Sequence, residues 1–338
     1  MIPRYAAALS TFMVAGLLNA QLVVNSTQTP LQLVQDVLLG NGVTVSNVRY
    51  NGVLNPGTNQ VGSGSFTATA SNLGLAAGLI LSSGTVGNAA GPASDFSGDS
   101  NGTGSDADLE SISGGTINDM AVLEFDFIPT GDSLKFNYVF ASEEYPEFVC
   151  SFNDAFGFFL SGPGFAGPYS GGAVNIALVP GTTVPVTINN VNNGLNNDPN
   201  DPGCPAVNPS YYVNNSAGTT VAYDGMTVVI QAFALVVCGQ QYHIKLAIGD
   251  ALDSSYDSAV FLEAGSFTST GSVLPTLAGG AGVTGNTMLE GCNPVELIFT
   301  RLGDITVVDT VNIVISGTAT AGVDYSPNLP SQLIFPVG

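Results

Sequence analysis

Acidic side chains gather at two points of a chain that is otherwise poor in charge. Glu143, Glu144, Glu147 and Asp154 fall within LKFNYVFASEEYPEFVCSFNDAFGFFL (134–160), with Asn153 and Cys150 among them. Asp250, Asp253 and Asp257 follow in IGDALDSSYDSAVFLEAGSF (248–267), spaced D-x-x-D-x-x-x-D in a serine-rich turn. Only 9% of residues are Asp, Glu, Lys or Arg, so these gatherings need a cause. Carboxylates brought together raise one another's pKa unless a cation or hydrogen-bond donors neutralise them. Calcium takes oxygen ligands from irregular loops of this kind. The expected site is therefore calcium held by Glu143, Glu144, Asn153, Asp154, Asp250, Asp253 and Asp257. The bland alternative is that they are turn formers at strand ends. An EF-hand would need D-x-D-x-D-G, which is missing. Asp106, Asp108 and Glu110 alternate toward one side as a further candidate group.

Other chemistry finds less support. His243 lies in YHIKLAI, where Tyr242, Ile244, Leu246 and Ile248 make a buried face, so His243 and Lys245 point the other way, to solvent or a partner. Gly98-Asp99-Ser100-Asn101-Gly102 fits G-x-S-x-G but lacks the helix that a nucleophile elbow requires. A jelly-roll glycoside hydrolase could pair Glu144 with Asp154 or Asp250. Against it, the chain has no Trp to stack on a sugar. The four cysteines, Cys150, Cys204, Cys238 and Cys292, suggest two disulfides in an exported chain. Cys150 and Cys204 both lie in polar, loop-like sequence. A Cys150–Cys204 bridge would close a loop worth about 4 kcal/mol in the chain-entropy account, leaving Cys238–Cys292. No C-x-x-C spacing supports zinc.

Five basic residues against 26 acids give a net charge of −21 over 338 residues. That excludes nucleic acid, whose phosphates need Lys and Arg, and it argues against anionic lipid. Residues 1–20 read as a signal peptide: Arg4, the apolar run Tyr5–Leu18, and a small residue, Ala20, at the cut. No later stretch is long and apolar enough to predict a transmembrane segment. The expected location is secreted, extracellular or on the outer cell surface.

The elements that must position these acids are short strands separated by Gly, Pro, Asn and Asp. They are VTVSNVRY (43–50), GLILSS (78–83), AVLEFDFI (121–128), LKFNYVFA (134–141), TVPVTINNV (183–191), MTVVIQAFALVV (226–237) and YHIKLAIG (242–249). Phe136, Tyr138 and Phe140 alternate onto one face, as do Phe156, Phe158 and Leu160. Leu123, Phe125 and Phe127 point inward, and Glu124 and Asp126 outward. One helical stretch is expected at 29–40. The polar stretches 87–110 and 192–215 are too long to be plain connectors. The pattern predicts an all-β fold, an antiparallel jelly-roll-like β-sandwich over 21–267. A Gly/Ser/Thr-rich linker (268–287) and an incomplete Ig-like sandwich (288–338) follow.

VLLGNGVTVSNVRYNG, DADLESISG, AVLEFDFIPTGDSLKFNYVFASEEYPEF, FNDAFGFFLSGPG and YHIKLAIGDALDSSYDSAVFLEAGSF resemble the choice-of-anchor L domain family of bacterial exported surface proteins. Near the C-terminus, GTATAGVDYSP followed by LIFPVG resembles part of a Calx-beta-type domain. The first resemblance implies export, often by type IX secretion, within large modular proteins anchored at the cell surface. It implies no activity. The expected function is a non-catalytic adhesion or binding module that meets a surface glycan or protein ligand. The alternative is a filament subunit that binds copies of itself by strand exchange through the unfinished C-terminal sandwich.

Overall fold

The computed structural model describes residues 22–69, 71–93, 98–102, 104–194 and 205–270. Beyond these it describes 273–279, 283–284, 287–288, 295–301, 308–313, 320, 322–323 and 329–337. The expected signal peptide lies outside the described residues.

The first half of the chain runs through β1 (Val23–Asn25), α1 (Pro30–Gln32), β2 (Val43–Tyr50), β3 (Val53–Leu54), β4 (Ser63–Thr67), β5 (Ala77–Ser82), α2 (Ala107–Ser113), β6 (Ile117–Pro129) and β7 (Ser133–Ser142). There follow β8 (Ala155–Ser161), β9 (Val174–Asn175), β10 (Tyr212–Asn214), β11 (Gly225–Thr227), β12 (Ile230–Leu235), β13 (Tyr242–Ala251), β14 (Ser258–Glu263) and β15 (Thr268–Thr270). Two antiparallel sheets form a sandwich. One has the order β1-β4-β5-β14-β7-β11-β10, with β12 and β15 also paired to β7; the other has the order β3-β2-β6-β13-β8-β9.

The two aromatic strands face each other across the core. Phe136 and Phe158 lie 5.0 Å apart, as do Tyr138 and Phe158, and Phe140 stacks on Phe156 at 4.8 Å. Such ring pairs add about 0.5–1.5 kcal/mol each beyond the area they bury. Phe267 closes the far end against Phe125, Phe127 and Phe136. Glu124 and Asp126 stay on the outer face, as the alternation requires.

Three local expectations are corrected. The helical stretch at 29–40 starts on a capping box between Thr29 and Gln32, but only Pro30–Gln32 is α-helical and Leu33–Leu38 widens into a π-helical turn. TVPVTINNV is no strand: it offers isolated bridges at Pro185 and Thr187 and a 3₁₀ turn at Ile188–Asn190. The run 226–237 breaks at Val228–Val229 into β11 and β12. Within the expected linker, Thr268–Thr270 pairs with Ser133–Lys135, and Val273–Gly279 pairs with Val295–Arg301.

Candidate functional site

At one end of the sandwich, β7 and β13 deliver their last residues toward each other from opposite sheets. β7 runs into Glu143 and Glu144; β13 carries Asp250 as its last residue but one; Asp154 precedes β8 and Asp257 precedes β14. All five are at most 1% exposed. Asp119 joins them at 2% exposure. It sits at φ +50° in a bulge of β6, where Ile248 pairs with Ala121 and Asp250 with Asn118. Nothing in the sequence around Asp119 marked it for this place.

The donors that reach these acids are few. Asp154 accepts from Ala251 N–H at 2.8 Å and from the Ser258 hydroxyl at 2.7 Å. Asp257 accepts only weakly from Asp99 N–H, at 3.2 and 3.3 Å. Asp119 Oδ1 accepts from the Ser100 hydroxyl at 3.1 Å and Gly102 N–H at 2.9 Å. Asp119 Oδ2, Glu144 Oε2 and both carboxylate oxygens of Glu143 and of Asp250 are buried with no hydrogen-bond partner. The Ser83 hydroxyl beside Asp250 donates to the Ser258 carbonyl at 3.2 Å. Asp257 packs on Gly84 so closely that a Cβ there would lie 1.9 Å from Oδ2.

Burial, with no cation to oppose it, drives the titration of the cluster. Burial and then the Asp224 and Asp257 carboxylates push Glu143 up to about 9. Burial and then Asp154 push Glu144 to about 10. Asp154 rises to about 7 through burial, although its Ala251 and Ser258 donors oppose the rise. Asp257 reaches about 7 through burial and its acidic neighbours. Asp250 is raised well above its ordinary value by burial and by Asp154. None of the ion pairs among the described residues involves these acids.

Of the other two expected ligands, Asn153 is engaged in loop contacts, and Asp253 lies close enough for its charge to raise the pKa of Glu144 and Asp154. Asn153 spends its amide on Ser113 O (3.1 Å) and Asn189 N–H (3.1 Å), pinning two loops. Asp253 is half-buried and accepts from Ser255 N–H, the turn-forming role of the bland alternative. Among the described residues, no group of three or more His, Cys, Asp or Glu side chains is placed to hold a metal ion as it stands.

A second polar constellation lies on the outer face of β13, around a cavity of about 450 Å³. Lys245 Nζ donates to both oxygens of Asp106 (2.9 and 2.7 Å) and to Asp108 (2.6 Å), and rests 4.7 Å from the centre of the Phe159 ring. Asp106 is also the N-cap of α2, accepting from Asp108 and Leu109 N–H, and Gly114 at φ +79° ends that helix. The alternating acidic group read at 106–110 is thus a helix cap and an ion-pair triad. Burial pushes Asp108 up, but Lys245 and Ser170 outweigh it and hold its pKa below the ordinary value. His243 projects outward beside Lys245, 2.8 Å from Asp126 and 3.4 Å from Glu124, and chiefly Glu124 raises its pKa.

Cys238 departs from the expected pairing. Cys238 is a free thiol that donates to Thr130 O at 3.1 Å, so the expected Cys238–Cys292 bridge is not formed. It sits in the exposed turn after β12. Cys150 is disulfide-bonded. Its expected partner Cys204 lies outside the described residues, as does Cys292.

The sequence profile of the choice-of-anchor L domain matches residues 22–268, which span both sheets and both constellations. The chain belongs to the choice-of-anchor L domain family. No curated protein and no solved structure matches it. The choice-of-anchor L domain is a domain type of surface-anchored bacterial proteins, and residues 288–338 lie beyond the matched span. No helix among the described residues is long and apolar enough to cross a membrane.

Proposed function

We propose that this choice-of-anchor L domain is a non-catalytic module, exported to the outer cell surface by type IX secretion, that binds a surface glycan or a protein ligand. One observation carries the non-catalytic part. The carboxylates that a glycoside hydrolase would use, Glu144 with Asp154 or Asp250, are at most 1% exposed. A glycosidase must hold two carboxyl groups against the two faces of a scissile bond, and no glycan chain reaches these. The Lys245 cavity offers a polar face for ligand contact. The reading includes a Cys150–Cys204 bridge, supported by the bonded state of Cys150 and the free thiol of Cys238.

A second reading, contact with copies of itself, is favoured by β12. One edge of this strand pairs with β7, and among the described residues no ladder covers its other edge. Phe233 and Leu235 stand outward along it and Val237 just beyond it, each more than half exposed. A row of apolar side chains on an open edge invites strand addition. The test is a polysaccharide panel read for both turnover and binding, with analytical ultracentrifugation of wild type and a Phe233→Asp/Leu235→Asp variant. The module reading expects binding without turnover and a monomer. Turnover that disappears in Glu144→Gln would overturn it. Assembly lost in the double variant would favour self-association.

A further inference from the structure

Asp250 is the most anomalous group in the domain. It is fully buried, no backbone donor reaches its oxygens, its carboxyl lies within hydrogen-bonding reach of Asp154, and the charges that act on it, Asp154, Asp257 and Asp119, are all acids. Asp119 also presents a buried oxygen without a partner. These four arrive on separate strand ends: Asp119 from β6, Asp154 from before β8, Asp250 from β13 and Asp257 from before β14. A sandwich end held only by its sheets would gain from apolar residues here, since an unpartnered buried carboxylate costs its full desolvation. Their donor atoms are all oxygens, the set a hard divalent cation takes.

We propose that Asp250, with Asp119, Asp154 and Asp257 around it, binds a divalent cation, calcium by the chemistry of its donors, which ties the ends of both sheets together. As they stand, no three of the four are placed to hold a metal ion, so binding must draw them together. Calcium tolerates such irregular, adjustable oxygen geometry, whereas magnesium demands a near-ideal octahedron and sheds its water reluctantly. Glu143 and Glu144 form the next ring of charge. The ion is independent of what the domain binds outside, and the proposal survives if the surface-module reading fails.

The experiment uses the full chain, stripped with EDTA and then equilibrated with calcium chloride or magnesium chloride alone. Metal analysis after gel filtration should find about one calcium per chain. Calcium at a hundredfold excess over its dissociation constant should raise the melting temperature by about 5–10 °C, with magnesium doing less. Asp250→Asn should abolish the calcium response, and Asp36→Asn, at an exposed acid outside the cluster, should keep it. If Asp250→Asn does not fold, Asp119→Asn and the metal count on the wild type decide the matter. An EDTA-treated protein with an unmoved melting curve and no retained calcium would overturn the proposal, leaving these acids as protonated partners. An Asp250→Asn protein that still binds calcium would overturn the assignment.

Discussion

Lys245→Met removes the one cation that holds two acids against β13. Lys245, Asp106 and Asp108 are only 12%, 15% and 7% exposed, and three short hydrogen bonds join them. Methionine keeps most of the apolar stem but leaves both carboxylates facing nothing positive. Breaking a buried ion pair from one side costs about 3–5 kcal/mol, and losing the contact over Phe159 adds about 0.5–2 kcal/mol. For a domain of this size the two together are a fall in melting temperature of about 7–28 °C. Urea unfolding at pH 7 measures it, and adding Asp106→Asn and Asp108→Asn to Lys245→Met should recover much of the loss. The acid limb gives a second reading. Asp108 is held below 3.8 in the fold, so its stabilisation is present above that pH and is lost as pH falls through the folded value. In the variant this part of the acid transition should vanish. A Lys245→Met protein within 1 kcal/mol of wild type would show that the triad is solvated and the reasoning wrong.

Two further outcomes follow from the same geometry. His243 has a raised pKa, so the stabilisation from Glu124 and Asp126 is present below 6.5 and fades as pH rises through the folded value. The stability gap between wild type and His243→Gln should shrink between pH 5.5 and 8.5, and a gap that widens would reverse the assignment. Gly84→Ala should destabilise by about 1–3 kcal/mol, because its Cβ would strike the Asp257 carboxylate. A neutral result in urea unfolding would mean that Asp257 is free to move.

The aromatic strands and the export-type composition were legible because alternation and charge are local properties of the chain. Phe136, Tyr138, Phe156 and Phe158 meet across the core as their period of two requires. Five of the seven expected ligands, Glu143, Glu144, Asp154, Asp250 and Asp257, are brought to one end of the sandwich. What could not be read depends on partners far away in sequence. Asp119 enters through a bulge whose register is set by β13. Asp106 and Asp108 find Lys245 from 139 and 137 residues away. Helix α2 did leave a signal, Asp106 as cap with Gly114 as stop, which the alternation of its acids concealed. Asn153 gives its amide to Ser113 and Asn189, partners that no local pattern in the chain announces.

The calcium site depends on carboxylates sealed inside the sandwich with no ion pair to a cation among the described residues. The direct measurement is unfolding free energy in EDTA at pH 5.5 and pH 8. A carboxyl whose folded pKa is raised gives stability that is fully present below its unfolded value and is lost as pH rises through the folded one. Asp154 and Asp257, each moved from 3.8 to about 7, should each make the domain less stable at pH 8 than at pH 5.5, by about 2 kcal/mol apiece. Glu143 and Glu144 act in the same direction. The predicted result is a metal-free domain clearly more stable at pH 5.5. A metal-free domain equally stable at both values, or more stable at pH 8, would contradict the burial of unpaired acids on which the site depends.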